Sequence, residues 1–279
     1  MNPPQDSLPL SDKPTRFGLI IIGDEIMSGK RADNHLPKII ELLKARGLQL
    51  EYAEYVGDSP ERITATLKRA FASGDVVFST GGIGATPDDH TRQCAARALD
   101  VALALHPMAK ELIEQRMQDV AQEQGRVYDP SAADNQHRLN MGVFPLGAGI
   151  IPNPYNKIPG FSCGHVHFVP GFPVMAWPMV EWVLDTHYSA CFQTLAWMEQ
   201  SVIVFGAMEA SLTPLMEQIE AGHPGVKVFS LPSVDHPQFG RHIELGVKGA
   251  PDPVSPAYAD LLAGLKRLNS KLGPELVRS

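Results

Sequence analysis

The sequence predicts an α/β fold, with a mostly parallel sheet covered on both faces by helices and a small α+β domain after it. Three observations carry this expectation. Residues 17–22 and 76–78 are short, continuous apolar runs, the pattern of strands buried on both faces. Strand and helix patterns alternate over residues 17–99, which calls for parallel pairing through helical crossovers. The composition shifts after about Gln193, where a β-α-β-β-α pattern begins.

In chain order, residues 1–13 are polar and proline-bearing, lack an apolar signal core, and are expected to be a disordered tail. An α/β domain is expected over 14–190. Its first strand, residues 17–22, runs into Gly23-Asp24-Glu25-Ile26-Met27-Ser28-Gly29-Lys30, glycine and two acids directly after a buried strand. A helix over 33–46 follows, with Leu36, Ile39, Ile40 and Leu43 as its apolar stripe and Gly47 at its end. His35 lies near its start, facing either the site or water. Residues 48–52 alternate, predicting a strand with one wetter face, nearer a sheet edge.

Next comes Val56-Gly57-Asp58-Ser59-Pro60. With Ser59 as helix N-cap, Pro60 falls at its favoured first position and Asp58 projects beyond the strand end. With Asp58 as the cap, its role is structural. Local pattern leaves both open. The helix runs to Ala72, with Ile63, Leu67 and Phe71 inward and Gly74 ending it.

The stretch Ser79-Thr80-Gly81-Gly82-Ile83-Gly84-Ala85-Thr86-Pro87-Asp88-Asp89-His90-Thr91 organises the chain. It joins the strand at 76–78 to a helix over 91–99. Glycines permit positive φ and close approach to the main chain, and the loop amides in front of a helix form an anion site. The carboxylates would repel a bare phosphate, so a bridging divalent cation is expected with a phosphate-bearing ligand. The plainer alternative is a strand-to-helix turn capped by Asp88 or Asp89. The stretch matches neither GxxxxGK nor GxGxxG. Ligands of open parallel sheets bind at the carboxyl ends of strands, so this loop and the one at Gly23 can share one crevice.

Further on, residues 106–124 predict a long helix with Leu112, Ile113, Met117 and Val120 inward, and 125–135 are turn-rich. Residues 150–160 carry too much proline for regular structure and suit a rigid loop lining a pocket. Within it, Lys157 either meets a phosphate or is solvated. Residues 165–169 alternate as a strand with His165 and His167 on one solvent-facing side. An apolar helix then runs to about Tyr188, with Trp177 and Trp182 in the core. The small domain is expected over 195–273, with strands at 201–205, 226–230 and 242–248 and helices at 211–220 and 255–272. Gly222-His223-Pro224-Gly225 matches the GxxG of RNA-binding KH modules. It lacks Lys and Arg and lies between helix and strand, so no RNA role is expected.

The net charge of −7 speaks against a nucleic-acid surface. The longest apolar stretch, 172–184, is broken by prolines and Glu181, so no membrane span is expected. Cys94, Cys163 and Cys191 are too few and too far apart for a disulfide framework or a CxxC metal site, which fits a cytoplasmic protein.

Gly23-Asp24-Glu25-Ile26 with Ser28-Gly29, Val56-Gly57-Asp58, and Thr80-Gly81-Gly82-Ile83-Gly84 with Thr86-Pro87-Asp88-Asp89 and Thr91 resemble the molybdopterin-binding domain family. The nearest resemblance is to the N-terminal part of the competence/damage-inducible proteins. Ile151-Pro152-Asn153-Pro154, Pro159-Gly160-Phe161 and Val169-Pro170-Gly171-Phe172-Pro173 extend it to roughly residues 16–188. The second module also resembles the small domain that follows in those proteins. No counterpart is expected of the nicotinamide-mononucleotide deamidase domain that often ends them.

The resemblance implies a three-layer α/β/α fold, homo-oligomeric assembly, and molybdopterin or an adenylated relative as ligand rather than prosthetic group. It implies a site with Asp58 and Asp89 as catalytic residues and ligands of magnesium or another divalent cation. Ligand contacts are expected from Gly23, Asp24, Glu25, Ser28, Gly29, Asp33, Thr80, Gly81, Gly82, Gly84, Thr86, Pro87, Asp88, Asn153 and Lys157. One departure stands out: where relatives read Asp-Thr-Asn-Ser, this chain has Asp33-Asn34-His35-Leu36. Two functions follow as expectations. One is binding of an anionic, phosphate-containing pterin or nucleotide linked to molybdenum cofactor. The other is divalent-metal-dependent pyrophosphatase action on ADP-ribose or a related dinucleotide.

Overall fold

The structure is a computed structural model that describes residues 15–192 and 198–278. The tail expected at 1–13 and the expected start of the second domain at 195 lie outside the described residues. The chain divides into two compact units, the first ending at Phe192 and the second beginning at Gln193.

The first unit runs β1 (Phe17–Ile22), the single turn α1 (Asp24–Met27), α2 (His35–Lys44), β2 (Leu50–Val56), α3 (Pro60–Ser73), β3 (Val76–Thr80) and α4 (Thr91–Leu99). It continues with β4 (Leu103–Leu105), α5 (Pro107–Glu123), α6 (Ala133–Leu139), β5 (Val143–Pro145), β6 (Gly149–Ile151), β7 (Gly160–Cys163), β8 (Val166–Val169) and α7 (Pro173–His187). The main sheet has the order β2-β1-β3-β8-β7-β6. Its first four strands are parallel, and the hairpin β7–β8 and the pair β6–β7 are antiparallel. Every residue of β1 and β3 is buried, as their unbroken apolar runs require.

Helices cover both faces. Leu19, Ile21 and Phe78 pack with Ile39 and Leu43 of α2 and Val180 and Leu184 of α7. On the other face Ile20, Ile22 and Val77 pack with Ile63 and Leu67 of α3, Ala95 of α4 and Ala109 of α5. A stack of Phe144, Phe161 and Phe168, with centroids 4.7 and 4.4 Å apart, fills that layer beneath the antiparallel strands.

Several expectations needed correction. The buried face of α2 is His35, Ile39, Leu42 and Leu43, while Ile40 is 45% exposed. Apolar residues at 36, 39, 40, 42 and 43 span more than one side of a helix, so spacing alone does not choose the inner one. His167 is buried, because β8 is an interior strand between β3 and β7 with a helix layer on each face. Trp177 and Trp182 are only partly buried, at the edge of the α7 layer. Residues 133–139 form α6, which the turn-rich composition concealed, and Ile150 and Ile151 belong to β6.

The second unit runs β9 (Met198–Phe205), α8 (Glu209–Gly222), β10 (Lys227–His236), β11 (Gly240–Gly249), α9 (Pro251–Arg267) and β12 (Lys271–Arg278), with sheet order β10-β11-β9-β12. Val202, Val204, Leu245 and Val247 pack under Leu212, Leu215, Leu261 and Leu265 of the two helices. The β-α-β-β-α pattern therefore gains a sixth element. The last helix stops at Arg267, Asn269 takes φ +53°, and residues 271–278 return antiparallel to β9. Gly273 and Pro274 hid this strand, and the ladder shifts register at that point.

Candidate functional site

The parallel strands end on one side of the sheet, and their following loops gather the acids and glycines there. Gly23 follows β1, Gly57-Asp58 follows β2, the glycine loop follows β3, and Pro170-Gly171 follows β8.

Asp24 and Asp58 are tied to each other reciprocally. The Asp24 amide donates to Asp58 Oδ2 at 2.9 Å, and the Asp58 amide donates to Asp24 Oδ1 at 3.0 Å. A Cβ on Gly57 would lie 2.4 Å from Asp24 Oδ1, so the residue before Asp58 must be glycine for this clasp to close. Ser59, not Asp58, caps α3: its hydroxyl accepts from the Arg62 amide, with Pro60 in the first turn. That resolves the open choice at Asp58 and leaves its carboxylate in the crevice. Partial burial raises the Asp58 pKa, and the charges of Asp24, Glu25 and Asp88 raise it further against the lowering effect of the Asp24 amide. Carboxylates from the loops after β1 and β3 thus act on Asp58 in the loop after β2.

The glycine loop is held from within. Gly81 takes φ +97°, and a Cβ there would sit 2.2 Å from the Ile22 carbonyl oxygen. Gly82 takes φ +67°, and its Cβ would meet Thr91 Oγ1 at 2.2 Å. Thr91 opens α4 by donating its hydroxyl to the Gly81 carbonyl (3.1 Å) and its amide to the Gly82 carbonyl (3.0 Å). The first two glycines thus serve the interlock of β1, β3 and α4. Asp89 turns inward as well: its Oδ2 accepts from the Thr86 amide (2.8 Å) and hydroxyl (2.5 Å), and Gly84 leaves room for it. Asp88 and Pro87 are exposed, and Asp88 is held below the usual carboxylate range chiefly by the Thr86 hydroxyl. Asp88, rather than Asp89, is the loop acid whose charge acts on Asp58. Thr80 is buried and its hydroxyl lacks a partner among the described residues.

Other expected contacts have structural work. Asp33 caps α2, accepting from the His35 and Leu36 amides at 2.8 and 3.1 Å and from the Tyr55 hydroxyl at 2.9 Å. His35 is buried and its Nε2 bonds the Gly171 carbonyl at 3.0 Å, so it faces neither water nor an open site. Gly171 in turn packs on Gly81. Ser28 and Gly29 are exposed at the end of α1, while Glu25 pairs loosely with Arg31 at 3.8 Å. Asn153 is buried inside its own loop. Its amide donates to Asn156 Oδ1 and the Ile158 carbonyl, and its Oδ1 accepts from the Tyr155 amide. Asn153→Ala is expected to cost about 2 kcal/mol by orphaning these partners, read as a lowered melting temperature. Lys157 pairs with Asp119 of α5 at 2.6 Å.

The structure thus brings together Asp24, Glu25, Asp58 and Asp88. It ties Asp33, Asn153, Lys157 and Asp89 to partners of their own. Sequence reasoning missed Arg92, which is buried in the first turn of α4. It donates to the Gly84 carbonyl at 2.6 Å and to the Asn140 carbonyl. A cation directly after two acids and a helix start was the available signal. Among the described residues, no group of three or more His, Cys, Asp or Glu side chains is placed to hold a metal ion.

A family model described as "Probable molybdopterin binding domain" matches residues 18–188, more than half of the chain. A CinA-like protein of Citrifermentans bemidjiense is 31% identical over 216 residues, covering 75% of this chain and 49% of that protein. The chain spans about half the length of such curated relatives. A protein of Pyrobaculum calidifontis is 28% identical over 262 residues, 91% of this chain and 94% of that one. The crystal structure of CinA from Thermoplasma acidophilum, a protein of unknown function, aligns with a TM-score of 0.52 at 24% identity. It covers 61% of this chain and 98% of that one, a likeness of fold. The chain belongs to the molybdopterin-binding domain family, and its relatives include CinA-like proteins.

Proposed function

We propose that the crevice binds an anionic, phosphate-containing pterin or nucleotide, with a divalent cation between the ligand phosphates and the Asp24–Asp58 carboxylates. The observation that carries this is the gathering of Asp24, Glu25 and Asp88 around Asp58 at the carboxyl ends of parallel strands, where burial first, and then the charges of the other three, raise the Asp58 pKa. A cation relieves that repulsion. Magnesium is commonly bound by one or two carboxylates plus substrate phosphates rather than by an all-protein cage. The donor set, all carboxylate oxygen, suits such a hard ion, and Asp58 and Asp24 would hold it. Asp89 would act by keeping the Thr86–Asp88 segment in place.

A second reading, cleavage of ADP-ribose or a related dinucleotide at its pyrophosphate, is favoured by the same cluster. When bound, the cation withdraws charge from phosphate oxygens and lowers the pKa of a bound water. The residues' own part is to orient the pyrophosphate between the two clasped loops and to accept a proton at the Asp58 carboxylate.

Asp58→Asn tests both readings. Asparagine keeps an acceptor for the Asp24 amide and removes one charge from the cluster, so thermal stability is expected to hold. Magnesium-dependent affinity for ADP-ribose or a phosphorylated pterin, measured by calorimetry, is expected to fall at least about tenfold. Any turnover, read as AMP release, is expected to fall on the order of a hundredfold. Unchanged affinity in a folded variant would refute the placement. Absent wild-type turnover with magnesium, manganese or cobalt would leave binding alone.

A further inference from the structure

Arg92 is a buried cation with no bonded carboxylate among the described residues. It sits in the first turn of α4, 5% exposed, and its Nε is buried without a hydrogen-bond partner. Asp89, whose charge supports it, is turned to Thr86 instead. Burial without a bonded carboxylate strongly disfavours a guanidinium. An apolar side chain of similar length would avoid that cost, so attention falls on the two contacts that Arg92 does make.

Both are with backbone carbonyls, and they join two separate segments. One nitrogen donates to the Gly84 carbonyl at 2.6 Å, in the glycine loop. The other donates to the Asn140 carbonyl, directly after α6. A single guanidinium therefore holds the end of α6 beside the glycine loop. Gly84 is a sensitive point of that loop. A Cβ there would lie 2.6 Å from Asp89 Oδ2, so the Gly84 backbone backs the turn that carries Asp88.

The segment on the far side of Arg92 is weakly held. α6 buries no residue, and Val127, ahead of it, is 95% exposed. Its side chains bond within the segment. Asn135 donates to the Asp129 carbonyl and Gln136 to the Pro130 carbonyl, each at 2.7 Å, and Arg138 donates to Asn135 Oδ1 at 3.0 Å. A stretch with so little buried apolar surface opens at low free energy unless an anchor holds it. Segments of this kind beside a binding site serve as lids.

We propose that Arg92 is a positioning residue that couples the glycine loop to a lid made of residues 125–139. A ligand that presses on the Thr86–Asp89 turn moves Gly84, and the guanidinium carries the change to Asn140 and α6. The closing of the lid rests on the binding reading above; the coupling through Arg92 does not.

The test is limited trypsin digestion of the full chain, with the cut after Arg138 followed by mass spectrometry. Cleavage there requires α6 to open. Without ligand, Arg92→Met should be cut after Arg138 at least about tenfold faster than wild type, with cuts in the second unit unchanged. Arg92→Lys keeps the charge but lacks the fork that spans two carbonyls, so its rate should fall between the two. Arg97→Gln, on the exposed side of α4, should be cut as wild type. Thermal melting checks folding, and should Arg92→Met not fold, the rate for Arg92→Lys decides. Magnesium with ADP-ribose is the probe, at concentrations that saturate each protein by calorimetry. It should slow the cut in wild type at least about threefold and leave the Arg92→Met rate unchanged. Equal ligand-free rates for wild type and a folded Arg92 variant would overturn the coupling. Equal protection of wild type and Arg92→Met by the probe would overturn it as well. A wild type that binds no probe counts against the binding reading alone, and the ligand-free rates still decide the coupling.

Discussion

Gly81→Ala is expected to destabilise the first unit by about 3 kcal/mol, from a left-handed backbone penalty of roughly 1–2 kcal/mol plus overpacking of similar size. The added methyl would lie 2.2 Å from the Ile22 carbonyl oxygen, a backbone atom of a fully buried strand that has no room to retreat. The same residue donates its amide to the Val169 carbonyl at 3.1 Å, so a shift of Gly81 disturbs β1, β3 and β8 together. Gly29→Ala is the matched control. Gly29 has φ +72°, yet its Cβ would meet open space, so only the conformational cost of about 1 kcal/mol is expected. At roughly 2–4 °C per kcal/mol for a unit of this size, the Gly81 variant should melt roughly 6–12 °C below wild type. The Gly29 variant should melt within a few degrees of it. Equal melting of the two variants would show that the loop yields, and that the contact with Ile22 does not hold it.

This contrast shows what the sequence could say about the glycine loop. Three glycines and two acids after a buried strand raised the expectation of a site at the carboxyl end of the sheet, and acids do gather there in the structure. The purpose of each glycine was not legible. Close approach of a ligand and close approach of a neighbouring strand demand the same residue, and only the fold distinguishes them. The same limit applies to the acids. Asp58 and Asp89 both lie in loops that follow parallel strands, but Asp89 is captured by Thr86 three residues away, while Asp58 is clasped by Asp24. Such side-chain-to-backbone contacts turn on a single rotamer, which no periodicity encodes. Elements were clearest where one physical cause dominated. β1, β3 and α4 followed from burial and turn chemistry. β7 and β12 were missed because glycine, cysteine and proline break their apolar pattern, and pairing with neighbouring strands supplies their order.

The second large effect concerns acid. The stability of the first unit is expected to fall between about pH 6.5 and pH 5 by about 2 kcal/mol on account of His167 alone, at about 1.4 kcal/mol per pH unit. His167 lies in an interior strand, with Nδ1 against the Ser162 hydroxyl at 2.8 Å and Nε2 against the Tyr188 hydroxyl at 2.8 Å. Tyr188 also meets His165 Nδ1 at 3.0 Å, and the His187 ring lies parallel to His167 at 6.4 Å. Either hydroxyl could accept a proton from an imidazolium, so hydrogen bonding is not what keeps the ring neutral. Burial is the main cause, with smaller contributions from His187 and His165, and it lowers the His167 pKa to about 3. The sign follows. The unfolded chain takes up a proton near pH 6.5 that the folded chain refuses until about pH 3, so stability is complete above the unfolded value and drains away as the pH falls toward the folded one. The range from pH 5 to 6.5 separates histidine from carboxylate titration, because most carboxylates remain ionised there. His167→Gln, which keeps a donor and an acceptor but cannot titrate, should flatten the denaturant midpoint against pH in that range. A smaller slope should remain from His106, His165 and His187, whose pKa values burial also lowers. An unchanged slope in a folded His167→Gln protein would mean that the proton is taken up elsewhere.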